Sequence, residues 1–197
     1  MLVVVRHGRT AWNAERRFQG WADVPLDEEG RRQAEDVASA LAKEIRGPVS
    51  VVSSDLRRAT GTAAAIATAL GTTVNEARDL REVDVGRWEG LTQAEAMYLF
   101  PDEYRRWSDG MDVRRGGGET LSQAGERVAG CVRDLLGATT GHLVVVGHGM
   151  SLQAALRVLA GWGTVRLTHG APHLGNAEHL VLTDLGHDQA ERLISER

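Results

Sequence analysis

Two histidines close runs of valine. Residues 1–5 read MLVVV and lead into Arg6-His7-Gly8, and residues 143–146 read LVVV and lead into Gly147-His148-Gly149. A short β-branched run ending in a polar residue and a glycine reads as a buried strand that reaches the carboxyl edge of a parallel sheet. Clefts in open α/β sheets lie at that edge. Two imidazoles distant in sequence are therefore expected side by side in one cleft, where they could act as nucleophile, base or hydrogen-bond donor near neutral pH. The cations are lopsided: Lys43 is the only lysine, so 22 of the 23 basic residues are arginine. An anion site in this chain must use planar guanidinium forks.

The elements that would hold these residues can be read from periodicity. After the first strand comes a long polar stretch, Arg9 to Asp27, broken by Gly20 and Pro25; long loops at strand ends are often functional. Apolar Ala34, Val37, Ala38, Leu41 and Ile45 predict a helix over 28–45, stopped by Gly47-Pro48. Strands are predicted at 49–53, 72–75, 143–146 and 179–182, and helices at 55–70, 119–136 and 151–159. The tail at 191–194 reads as an edge strand or a helical turn. Residues 80–118 break the alternation: they hold Trp88, Trp107, a Phe100-Pro101 break and the run Gly116-Gly117-Gly118. They read as a cap of short helices inserted over the cleft, with the glycines as a hinge. Alternating strands and helices predict an α/β fold, a three-layer α/β/α sandwich with a mostly parallel central sheet, built as one domain over 1–197.

Composition narrows the function. The chain has 197 residues, 42% hydrophobic and 25% charged, as in globular domains. A net charge of −4 offers no basic excess for nucleic acid. No apolar stretch approaches the ~18 residues of a membrane span, and the first apolar run meets Arg6 too soon for a signal peptide, so the cytoplasm is the expected location. Cys131 stands alone, which excludes a disulfide or thiolate cluster within the chain; it is expected as a buried structural thiol. Of the seven histidines, His169, His173, His179 and His187 crowd the last third. Their spacing follows no two-on-one-face metal pattern, so they are expected in loops or at the surface, with no metal and no cofactor. The glycine run at 116–118 follows no strand and is not read as a nucleotide loop.

The string RHGRTAWNAERRFQGWADVPLDEEG resembles the signature of the histidine phosphatase superfamily, the phosphoglycerate-mutase-like group. Further blocks agree in order: Ser53 to Ala59, Leu80-Arg81-Glu82-Val83-Asp84, Gly117-Gly118-Glu119-Thr120, and Gly147-His148-Gly149. The resemblance spans residues 1 to about 180. It implies that His7 is the nucleophile and passes through a phosphohistidine, and that Arg6, Arg58, Asn13 and His148 bind the phosphoryl group. Arg58 is preferred to Arg57 because it directly precedes Ala59. Glu82, Asp84 and Glu89 are the carboxyl candidates for acid/base work; the resemblance implies Glu82, whose alternative is an ion pair with Arg81 or Arg87, while Glu89 is expected to shape its loop. Gln19, Gly20 and Gly149 fall where the family faces its ligand. Thr10 either donates to phosphate or caps the loop. Trp12, Trp21 and Trp88 are expected to pack loop and cap rather than stack on substrate.

Within the superfamily, hydrolysis is favoured over mutase chemistry. The insertion after Glu82 is short, Met150 stands where mutases carry Asn, and Arg9 where they carry Glu. The implied activity is metal-independent hydrolysis of a small phosphorylated metabolite; a mutase, and less readily a non-catalytic anion-binding module, are the alternatives. Arg105, Arg106, Arg114 and Arg115 in the cap are candidates for a second anionic group, with Arg105 and Arg106 more simply on a solvated helix face. A homodimer through an exposed strand or helix is left open.

Overall fold

The computed structural model of the protein describes residues 1–160 and 173–183. The tail at 191–194 and the histidines 169 and 187 lie outside the described residues. Five strands form one sheet: β1 (Leu2–Arg6), β2 (Val49–Ser53), β3 (Val74–Glu76), β4 (His142–Gly147) and β5 (His179–Leu182), in the order β3-β2-β4-β1-β5. The first four are parallel, and β5 pairs antiparallel with β1. The valine runs form the adjacent central strands β1 and β4, in register from Leu2 opposite Leu143 to Arg6 opposite Gly147.

The helices are α1 (Ala11–Ala14), α2 (Glu28–Glu44), α3 (Arg57–Leu70), α4 (Gln93–Leu99), α5 (Pro101–Ser108), α6 (Leu121–Ala138) and α7 (Gly149–Leu159). Alternation of the central strands divides them between two faces. Val3, Val5, Val51, Val144 and Val146 pack on Val37 and Leu41 of α2 and on Ala63 and Ile66 of α3. Leu2, Val4, Leu143 and Val145 pack on Val128 and Val132 of α6 and Leu152 of α7. This gives the expected three-layer α/β/α sandwich. Cys131, on α6, is half-buried beside that second core rather than enclosed by it.

Helix starts follow their caps. Thr120 caps α6 as a capping box with Gln123, and Thr92 caps α4 with Glu95. α7 begins at Gly149, two residues before the predicted start, so His148 is itself the residue that opens the helix. The inserted segment carries α4 and α5 and a small core of its own, in which Trp88 is fully buried against Phe18, Tyr104 and Trp107. Phe18 reaches this core from the loop after β1, a contact that local periodicity does not encode.

The glycine run at 116–118 is not a hinge. Gly116 has φ +58°, and a Cβ there would lie 2.3 Å from the Val85 carbonyl oxygen. Glycine is needed because two backbones touch. The same requirement joins the first loop to α2: a Cβ on Gly30 would lie 1.9 Å from the Arg9 carbonyl oxygen. Gly30→Ala therefore forces backbone apart. It should destabilise the fold by about 1–3 kcal/mol in denaturant unfolding, whereas a change under about 0.5 kcal/mol would show that this contact is not tight.

Candidate functional site

β1 and β4 end side by side, and each hands the chain a histidine. The His7 N–H donates to the Gly147 carbonyl at 3.0 Å, which extends the ladder one residue past the strands. The two rings stand edge to face with centroids 5.1 Å apart. His7 is buried and His148 fully so. Arg6 ends β1, and Arg58, at the start of α3, is fully buried. Arg57, its neighbour, is exposed, and its backbone N–H rests on Asp23 at 2.7 Å.

Hydrogen bonds assign the tautomers. His7 Nδ1 lies 2.7 Å from the Gly8 carbonyl, which can only accept, so Nδ1 carries the proton and Nε2 has a free lone pair. Arg58 Nε donates to His148 Nδ1 at 3.2 Å, so the proton of His148 sits on Nε2. That Nε2 is buried without a partner among the described residues. Burial, then the Arg58 charge, pushes the His7 imidazole well below the ordinary histidine value of 6.5. Burial, then Arg58, then His7, does the same to His148. The two neutral rings thus carry opposite tautomers. Burial also lowers the Arg58 guanidinium to about 10, offset by the attraction of Glu82. Its terminal nitrogens are tied to the Ala22 and Gly20 carbonyls at 2.7 and 2.8 Å.

Glu82 makes no ion pair with Arg81 or Arg87. Arg81 forms a two-pronged pair with Asp55 at 2.7 and 2.6 Å, and Arg87 faces Glu103. The Glu82 carboxylate instead accepts from the backbone N–H groups of Val83 (2.9 Å), Ser151 (2.8 Å) and Met150 (3.2 Å). The last two belong to the first turn of α7, whose free N–H groups favour a carboxylate. The Glu82 carbonyl is gripped by Trp21 Nε1 at 2.8 Å and by Arg127. Arg127, on α6, also binds the Asp79 and Arg81 carbonyls and both oxygens of Glu119. Asp84 accepts from the Gly86 N–H and shapes its turn. Glu89 accepts from the N–H groups of Trp21 and Ala22 at 2.5 and 3.0 Å and shapes the first loop, as expected.

A cavity of about 200 Å³ opens over this group. Arg6, His7, Asn13, Gln19, Gly20, Arg58, Glu82 and Gly149 all line it. His148 is not part of the lining: it lies beneath, touching His7 and Arg58. Thr10 caps α1 and donates to Gln19 at 3.1 Å, which settles its role as a loop residue. Asn13 accepts from Thr10 and from Asn176, and Asn176 also binds the His7 carbonyl. The lining also contains Arg17, Arg115 and His173. His173, expected in a loop or at the surface, is an exposed loop residue that faces the cavity. None of Trp12, Trp21 and Trp88 lines it. Arg127 is a residue sequence reasoning did not single out for the site's architecture, and of the four cap arginines offered for a second anionic group Arg115 is the one in this lining. The signal for Arg127 was its place on the inward face of a helix, eight residues after Glu119. Among the described residues no three His, Cys, Asp or Glu side chains are grouped to hold a metal ion, and no helix is long and apolar enough to cross a membrane.

The family model for the histidine phosphatase superfamily (branch 1) matches residues 2–181. The chain belongs to that superfamily. Its relatives include phosphoglycerate mutase-like protein 4 of Arabidopsis thaliana, 43% identical over 75% of this chain and 66% of that protein. They also include glucosyl-3-phosphoglycerate phosphatase of Mycolicibacterium vanbaalenii, 36% identical over 81% of this chain and 74% of that protein. The chain thus spans slightly under two thirds of the plant relative. The solved mycobacterial glucosyl-3-phosphoglycerate phosphatase in complex with VO3 superposes with a TM-score of 0.81 at 31% identity, covering 90% of this chain and 88% of that one.

The site's pH dependence follows from the two buried rings. Their native pKa values are depressed, so between those values and 6.5 the unfolded chain binds more protons than the folded one. The stability that depends on keeping them neutral is complete above about pH 6.5 and declines as the pH falls below it. Thermal melting followed from about pH 8 to pH 5 should show a falling midpoint that flattens in His148→Asn. An unchanged slope in that variant would remove His148 from the account.

Proposed function

We propose that the protein hydrolyses a small phosphomonoester in two displacements, through a phosphohistidine on His7. The observation that carries this reading is the tautomer of His7. With Nδ1–H held by the Gly8 carbonyl, the Nε2 lone pair of a neutral ring faces a cavity walled by guanidinium groups. In the first step Glu82 takes the acidic proton of a monoanionic phosphate ester as it binds; Nε2 attacks phosphorus, the bond from phosphorus to the ester oxygen breaks, and the departing oxygen takes that proton from Glu82. The positive charge left on the imidazole is shared with the Gly8 carbonyl. In the second step a water gives its proton to the Glu82 carboxylate and attacks phosphorus; the N–P bond breaks and His7 is again neutral. Glu82 Oε2 carries the weaker of its backbone contacts and is the oxygen freer to exchange a proton.

Arg6 and Arg58 hold the non-reacting phosphoryl oxygens, where preorganised donors stabilise the charge that develops in transfer. His148 supports them in two ways. Its Nδ1 orients Arg58, and its unpartnered Nε2–H is a donor whose acceptor would arrive with the substrate. Hydrolysis rather than mutase chemistry is supported by the relative and the solved structure named as phosphatases, and by Met150 and Arg9. The small volume of the cavity favours a small metabolite.

Two experiments test the reading. Phosphate release from a panel of 3-phosphoglycerate, phosphoserine, sugar phosphates and nucleotides, with EDTA throughout, should reveal turnover that His7→Ala abolishes. Full activity in His7→Ala, or transfer to a second hydroxyl without release to water, would refute it. Glu82→Gln should slow alkyl phosphates by about 10²–10⁴-fold and p-nitrophenyl phosphate far less, because p-nitrophenolate leaves without a proton. Equal losses on both would move the proton transfer to another group.

A further inference from the structure

We infer that Arg115 binds a carboxylate on the alcohol half of the substrate, so that the enzyme selects phosphomonoesters bearing an acid group; the inference rests on the phosphatase reading of the site. Arg115 is 1% exposed and lines the cavity that His7, Arg6, Arg58 and Glu82 line. It is poorly satisfied for a buried cation. One terminal nitrogen meets only the sulfur of Met150, at 3.3 Å, a weak acceptor. The other is buried without a hydrogen-bond partner among the described residues. The carboxylates whose charge it feels are Glu82 and Asp112, and both are engaged elsewhere. Glu82 is engaged with α7, and Asp112 with the N–H groups of Leu121 and Ser122.

Arg6, on the phosphoryl side of the same cavity, shares this feature at Nε, whereas two other inward arginines do not. Arg58 and Arg127 place their nitrogens on protein acceptors throughout the fork. Burying a guanidinium without partners is costly, and a ligand anion is the partner that makes such a residue stable in the working complex. Position selects which part of the ligand it meets. Arg115, Met150 and Gln153 also wall an adjoining cavity of about 430 Å³ within the cap, bounded by Tyr104, Trp107 and Met111. Arg115 therefore stands on the cap side, whereas the phosphoryl groups lie at the strand edge with His7. Its guanidinium carbon lies 5.9 Å from the Trp107 ring centre, which braces the side chain by a cation–π contact. A planar fork matches a carboxylate by paired hydrogen bonds.

The test compares two esters that differ in the acid group alone: 3-phosphoglycerate and glycerol 3-phosphate. The wild type should prefer 3-phosphoglycerate by at least about tenfold in kcat/KM, and Arg115→Met should lower that ratio at least about tenfold. Arg115→Lys, which keeps the charge, should retain part of the preference and substitutes for the methionine variant if that one does not fold. Equal losses on both esters, with the ratio unchanged, would make Arg115 a packing residue and overturn the inference, as would a wild type without preference. If the wild type releases phosphate from neither ester nor from any member of the wider panel, the phosphatase reading fails on its own. The inference is then decided by calorimetric Kd values for the same two compounds on wild type and Arg115→Met, with the same ratio as the criterion.

Discussion

Burying a guanidinium in protein costs several kcal/mol unless it is matched by charge and hydrogen bonds, and this chain buries Arg58 and Arg115 and half-buries Arg6 around one small cavity. Glu82 is the carboxylate whose field reaches all of them. Everything else at the site follows from holding that positive field in place. Burial and then the Arg58 charge keep two imidazoles neutral, donors on His148 and Arg115 are left without acceptors among the described residues, and the guanidinium groups give the cavity a positive lining. The site is built for charge that arrives from outside.

The architecture supplies the rigidity that such a field requires. Adjacent parallel strands deliver His7 and His148 to one edge, and the buried valines on both faces of the sheet fix that edge. The first turn of α7 holds Glu82, while Arg127 and the Asp55–Arg81 pair hold the segment that carries it. Close backbone contacts at Gly30 and Gly116 lock the first loop and the cap against the same centre. The side chains around the cavity thus sit on a strand end, a helix start and two braced loops rather than on one flexible segment.

Much of this was legible in the sequence, and unevenly so. The central strands and the long helices were plain because pattern and burial coincide: continuous valine runs on β1 and β4, buried on both faces, and a 3.6-residue stripe on α2. The pairing of His7 with His148 followed from the two strand ends. What local pattern could not give was tertiary. The start of α7 at Gly149 was missed because no side-chain cap marks it, and with it the hold of that helix on Glu82. The glycines at 116–118 looked like a hinge because sequence reveals conformational freedom but not the backbone pressed against it. Arg115 was one of several cap arginines in the sequence; only burial and the lack of partners separate it from Arg105 and Arg106, which the structure leaves exposed on α5.

The central claim is that phosphorus is attacked twice, first by His7 and then by water. Each in-line displacement inverts the configuration at phosphorus, so the stereochemical course counts the steps. Hydrolysis of a phosphomonoester made chiral with oxygen isotopes, with acceptor alcohol present to trap the chiral product, measures that course directly. Overall retention is the predicted result and requires the covalent intermediate. Overall inversion would mean that water attacks the ester in a single step, and His7 would then be a phosphate ligand rather than the nucleophile.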